Sequence, residues 1–190
     1  MPQLLSYWLA ARPGVVRVGL DGPPCADPAA LADALRDPLR VVGRRLVHVR
    51  AESFWRDASL RLEYGREDPD AYLNWLDDGA LRREVLTGNT YLPTLRDPRT
   101  NRSTRAEPIT LPPDAVLAVS GPFLLGLGLP FDRVVHLLVS PAARARQTDP
   151  EQAWTLPAFQ RYDDEVSPAD LADVVIKLDD PRHPAIRGLG

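Results

Sequence analysis

Gly22, Asp27, Pro28 and Ala29 stand at the positions that define a phosphate-binding loop, G-x-x-x-x-G-K-[ST], and only the first keeps the required residue. Such a loop holds phosphate with free backbone N–H groups at a helix N-terminus, a lysine, and a hydroxyl that reaches Mg²⁺. Here the loop reads Gly22, Pro23, Pro24, Cys25, Ala26, Asp27, Pro28, Ala29. Asp27 replaces the second glycine, Pro28 the lysine and Ala29 the hydroxyl. Pro23, Pro24 and Pro28 each remove an N–H. Asp27 is a good N-cap and Pro28 a good first helical residue. The carboxylate is therefore expected to take the donors a phosphate needs and to repel one. Cys25 near a helix start could be a reactive thiol, but Asp27 opposes thiolate formation and a small packed residue is the better reading.

Other side chains can do chemistry. Glu52 ends an apolar strand, where it can serve as a general base of raised pKa or as a solvated acid paired with Arg50 or Arg56. Phe54 and Trp55 can stack on a base, although packing the loop onto the sheet is the better reading of Phe54. Arg144 and Arg146 can bind phosphate or lie solvated on a helix. His48 and His136 fall on predicted strands, far in sequence from each other and from His183. No H-x-x-x-H and no G-x-S-x-G occurs, so zinc and serine hydrolases are unsupported.

These residues need a scaffold, and the apolar pattern supplies one. Val15–Leu20 reads as a buried strand entering the loop. The helix after Pro28 carries Leu31, Ala34 and Leu35 on one side and runs on to Leu39 and Val42. Leu46–Val49, Ala115–Val119, Val134–Val139 and Val174–Leu178 read as further strands. Leu4, Leu5, Trp8 and Leu9 mark an N-terminal helix. Pro69–Leu76, Asp77–Leu86, Phe123–Leu129, Pro141–Gln147 and Thr155–Glu165 read as helical segments, with one more turn from Ser167. Apolar strands alternating with helices predict a parallel sheet covered on both faces. The stretch from Arg50 to Arg66 lacks clean periodicity but begins at a strand's carboxyl end, where open α/β sheets place ligands. Gly88–Pro113 is polar and turn-rich, with a hairpin expected in RDPRTNRSTR. The chain closes in a Pro-Gly tail.

The chain of 190 residues is 44% hydrophobic and 26% charged, which suits one domain. A net charge of -3 leaves no footprint for nucleic acid. Lys177 is the only lysine, so an arginine is the available substitute for the missing loop cation. Cys25 is the only cysteine, which excludes an intrachain disulfide and a thiolate metal cluster. Without a basic start or a long apolar run, neither signal peptide nor membrane span is expected, and the expected location is cytoplasmic.

The order of these parts resembles the uridine kinase-like branch of the P-loop nucleoside and nucleotide kinases. VRVGLDG…LADAL is similar to that family's first strand, phosphate loop and helix. HVRAESFWR is similar to its second strand and the acid that follows, YLNWLDDGALRREVL to its next helices, DAVLAVSGPFLL to its D/E-G-x-F-L-L turn, and ADVVIKLDDPRHPAI to its last strand and tail. The resemblance implies an α/β, three-layer P-loop NTPase-type fold with a five-stranded parallel sheet, in one domain over 1–190, with a mobile acceptor-side insertion over 88–113. It implies transfer of the ATP γ-phosphoryl group to a nucleoside or another small hydroxyl compound. By position it makes Glu52 the base or Mg²⁺ partner. It places Phe54, Trp55 and Tyr91 near the acceptor pocket and Arg144, Arg146 and Arg161 in a phosphate-binding lid. Ser120, followed by Gly121, falls where the family has a metal-side acid.

The departures remove the cation and both Mg²⁺ contacts, on which phosphoryl transfer depends. The leading expectation is a degenerate kinase scaffold, non-catalytic or weakly catalytic, that binds a small nucleoside-like or anionic ligand or a protein partner. No metal and no cofactor are expected. One alternative is an active kinase in which Mg-ATP binds through an arginine. Another is a regulatory interaction module with its old site closed. Neither nucleic acid nor membrane is an expected partner, and self-association stays open.

Overall fold

Valine-rich runs form the strands of the computed structural model, which describes residues 1–189. In chain order the strands are β1 (Val16–Asp21), β2 (Arg45–Arg50), β3 (Thr90–Tyr91), β4 (Ile109–Thr110), β5 (Ala115–Gly121), β6 (Arg133–Leu138), β7 (Val174–Lys177) and β8 (Ala185–Arg187). The helices are α1 (Pro2–Ala10), α2 (Pro28–Ala34), α3 (Arg36–Val41), α4 (Ala58–Arg61), α5 (Pro69–Tyr72), α6 (Asp78–Leu81), α7 (Pro141–Gln147), α8 (Leu156–Val166) and α9 (Pro168–Leu171).

The main sheet has 6 strands in the order β2-β5-β1-β6-β7-β8, and β3 pairs with β4 apart from it. All neighbours in the main sheet run parallel except β7 and β8. Successive residues of β5 face opposite sides, as strand geometry requires. Val116 and Ala118 join the core under α1, α2 and α3 with Leu5, Leu31, Leu35 and Leu39. Leu117 and Val119 join the opposite core with Phe54, Leu81 and Val85. This two-sided burial produces a three-layer α/β domain and directs the carboxyl ends of β1, β2, β5 and β6 to one edge. The chain winds outward from β1 in both directions, and ligands of open α/β sheets bind at such a reversal.

The structure departs from the sequence reading in several elements. The tail is not irregular: Ala185–Arg187 adds an antiparallel strand to β7, with Ile186 packed against the first core. Two apolar residues, Ala185 and Ile186, between Pro184 and Gly188 gave no strand signal. The helix after Pro28 breaks into α2 and α3, because Pro38 has no N–H to give Ala34. Phe123–Leu129 is not helical, since Phe123, Gly126 and Gly128 adopt φ of 60°, 80° and 61°. The expected hairpin is reduced to an isolated antiparallel bridge, Arg96–Ser103, while Leu92 and Leu111 from the same segment lie in the second core.

Arg44 ties the amino-terminal layer to the sheet. It is 8% exposed. Its guanidinium donates to the carbonyls of Arg12 at 2.8 Å, Gly14 at 2.6 Å and Ala10 at 3.3 Å, and Nε donates to Asp114 O. Replacing it with methionine strips these carbonyls of a charged donor. Arg44→Met is expected to cost on the order of 3 kcal/mol, read from urea unfolding; an unchanged midpoint would show that the network contributes nothing.

Candidate functional site

The loop after β1 begins at a constrained glycine. A Cβ on Gly22 would lie 2.8 Å from Leu137 Cβ, and one on Gly121 would lie 2.7 Å from Ala51 Cβ. The first approach seats the end of β1 on β6 and the second seats the end of β5 on the segment after β2, and Gly22 N–H donates to Gly121 O at 3.3 Å. Just before the loop, Asp21 is fully buried. Its Oδ1 accepts from Leu124 N–H at 2.8 Å, and Oδ2 pairs with His136 Nδ1 at 2.7 Å. This carboxylate fastens β1 to the turn after β5 and to β6. An acid at the end of an apolar strand, with a histidine inside another, was the signal for it in the sequence.

Beyond Gly22 the loop folds as a 3₁₀ turn over Pro24–Ala26. Ala26 N–H donates to Pro23 O at 2.9 Å and Asp27 N–H to Pro24 O at 3.0 Å. Asp27 adopts the left-handed conformation, φ 47° and ψ 67°, which suits the glycine it replaces. Its Oδ1 accepts from Ala30 N–H at 2.9 Å, capping α2. Between the prolines and these bonds, most N–H groups of the loop are already committed.

The neighbouring positions are committed as well. Ser120 is 1% exposed, and its hydroxyl lies 2.8 Å from His48 Nε2. His48 Nδ1 lies 3.3 Å from Asp33 Oδ1. Burial holds His48 below the ordinary histidine pKa despite the Asp33 charge. The neutral ring accepts from the serine and donates to the aspartate. A serine, histidine and aspartate so arranged can activate a hydroxyl, but this hydroxyl has no open face toward a substrate. Glu52 takes up protons more readily than an ordinary glutamate, because it is buried and then because the Asp27 charge lies nearby; Arg50 opposes this.

The three lid arginines do not converge. Arg144 faces the loop, but it is 3% exposed, paired with Asp163 Oδ2 at 2.7 Å and stacked over Phe159. The gap left between Gly22, Pro23, Arg144 and Tyr162 is about 10 Å³. Arg146 is exposed and donates to Ala142 O at 3.0 Å. Arg161 binds Glu165 at 2.7 Å and Asp70 at 3.0 Å. Lys177 pairs with Asp179 at 3.2 Å. Cys25 is half-buried, and burial raises its thiol pKa.

The predicted acceptor residues also separate. Phe54 is fully buried in the second core and offers a ligand no surface. Tyr91 packs against that core from β3. Trp55 joins a cluster the sequence did not signal. It meets Trp75 edge-on at 5.2 Å, Trp75 meets Tyr72 at 4.9 Å, and Tyr72 meets Phe123 at 5.1 Å and Trp154 at 5.3 Å. Phe123 stacks on Phe159 at 4.6 Å. These rings, dispersed between residues 55 and 159, interlock the α4–α5 region with α8. Burial raises the Tyr72 phenol pKa, and the Glu52 charge adds to it.

The sheet order, the loop between β1 and a helix, and the Gly turn after β5 give the chain a P-loop kinase fold. The solved structures agree. A "possible uridine kinase" from Bacillus stearothermophilus matches with a TM-score of 0.73 and 20% identity over 92% of this chain and 96% of that one. A "putative fructose transport system kinase" from a Silicibacter species matches at 0.56 and 19%, over 83% of this chain and 94% of that one. No protein-family model and no curated protein matches the sequence. Among the described residues no helix is long and apolar enough to cross a membrane.

At the loop a carboxylate occupies the helix start, and neither lysine nor hydroxyl follows it. The Glu52 shift has a direct consequence. A folded-state pKa above the ordinary 4.5 means that the folded protein binds this proton more tightly than the unfolded chain. The charged form therefore costs stability as pH rises through 4.5 and the raised value. Glu52→Gln is expected to raise the melting temperature at pH 7, with the gain vanishing below pH 4.5, the ordinary value. A variant less stable at neutral pH would contradict this assignment.

Proposed function

We propose that this protein is a kinase-like scaffold that does not bind Mg-ATP productively and instead holds a small nucleoside-like or anionic ligand without phosphoryl transfer. The observation carrying this reading is the Asp27 carboxylate on Ala30 N–H at 2.9 Å, the place where a phosphate oxygen would need a donor. Pro28 and Ala29 supply neither a cation nor a Mg²⁺ ligand. Charge positioned around the phosphates accounts for nearly all of phosphoryl-transfer catalysis, so losing it at several positions removes the reaction rather than slowing it modestly.

An active kinase would need an arginine in place of the lysine. Arg144 is the arginine that faces the loop, and it would first have to leave Asp163, a buried pairing whose loss is costly. The test is ADP release from Mg-ATP with a panel of nucleosides and small polyols. No release above a protein-free control is expected. Acceptor-dependent release that Glu52→Gln abolishes would establish the kinase reading instead.

A further inference from the structure

A second cavity lies away from the loop, between α4 and α5, with a volume of about 320 Å³. Arg61 lines it and is 7% exposed. Its guanidinium is stacked on two indoles, with the ring centroids of Trp75 and Trp55 at 4.8 and 5.2 Å. Nε donates to Arg56 O at 2.8 Å. The two terminal nitrogens have no hydrogen-bond partner and no carboxylate within ion-pair distance among the described residues. These nitrogens are not sealed from solvent: they open into the cavity, where an oxyanion can reach them.

Asp57, whose charge acts on Arg61, is already engaged. Asp57 holds Arg96 at 3.1 Å and Asn101 at 3.2 Å, and its other oxygen caps α4 through Ser59. The frame around Arg61 is meanwhile rigidly tied. Trp75 Nε1 donates to Arg61 O at 3.1 Å, and Arg56 N–H donates to Trp75 O at 2.7 Å. The indoles hold the guanidinium between them at the cavity that Arg61 lines. A planar fork with two free N–H edges matches a carboxylate or phosphate.

We infer that this cavity binds a small organic oxyanion, a carboxylate or a phosphomonoester, with Arg61 as its anchor and a short apolar or aromatic body against Leu60 and Tyr64. Those two side chains are 60% and 76% exposed on the cavity wall, large apolar surfaces with nothing packed on them. The rim also sets the ligand's charge. Arg56 lines the cavity as a second cation; Asp68 caps α5 and Asp70 binds Arg161, but these two acids and Glu63 also line it. They disfavour a polyanion such as a nucleoside triphosphate and leave compact anions as the fitting class. The inference rests on the proposed function only in taking the ligand to be a small anion, and it places that anion outside the kinase cleft.

The test titrates the full chain with phenylacetate, phenylphosphate and the neutral phenylacetamide, followed by calorimetry and ligand-observed NMR. At least one anion is expected to saturate, with the amide weaker by roughly tenfold or more, the worth of one charged hydrogen-bonded anchor. Which anion binds distinguishes the carboxylate from the phosphate source. Arg61→Gln should abolish saturation, and Tyr64→Ala, on an exposed side chain, should weaken it while leaving the melting curve unchanged. Equal affinity for the amide, no saturation by either anion up to roughly 10 mM, or full binding by Arg61→Gln would overturn the inference. Should Arg61→Gln fail to fold, undiminished binding by Tyr64→Ala overturns it equally. Acceptor-dependent ADP release would refute the non-catalytic reading while leaving this site intact.

Discussion

A backbone N–H can be given only once, and at the end of β1 most are already given. Gly22 donates to β5, Ala26 and Asp27 close a 3₁₀ turn, and Ala30 serves the Asp27 carboxylate. Pro23, Pro24 and Pro28 have none to give. A phosphate loop depends on the opposite condition, a concave run of amides waiting for an anion. The same chain path thus supports two incompatible outcomes. Here it stabilises a helix start from within, and the left-handed backbone of Asp27 retains the turn that a glycine would make there.

The surroundings follow from that self-sufficiency. Around the loop, charged and polar side chains pair with one another. Arg144 faces the loop but neutralises Asp163. Ser120 binds His48, and Asp21 binds His136 and a backbone amide. The side facing α8 is filled by interlocking aromatic rings from Trp55 to Phe159, a packing that contributes burial and edge-to-face attraction. Arg61 is the exception. It is buried among those rings, charged, and without a counter-ion among the described residues, and it faces a cavity rather than the core.

Much of the fold was legible because its cause is periodic. The parallel strands, the N-cap at Asp27 and the helix starts at Pro28 and Pro141 follow from apolar runs and capping chemistry that need no tertiary information. The outer strand β8 was not legible, since its pairing with β7 gives strand geometry to a segment whose apolar residues are only Ala185 and Ile186. Phe123–Leu129 has helical apolar content, yet its positive φ angles arise from a turn that closes onto Asp21. At the site, the residues that stand in the loop were readable position by position. The pairings that replace them were not, because Asp21 and His136, or Ser120, His48 and Asp33, meet only across the sheet. The Trp55 and Trp75 rings that enclose Arg61 likewise come together only once α4 and α5 fold back on each other.

Calorimetric titration of the purified chain with ATP, with and without Mg²⁺, tests the closed loop most directly. A loop whose amides are self-bonded and whose cation is absent should bind no tighter than roughly millimolar, about −4 kcal/mol, and Mg²⁺ should make no difference. Micromolar binding that requires Mg²⁺ would contradict the account. It would mean that Asp27 releases Ala30 to the nucleotide and that the donor site is rearranged rather than closed.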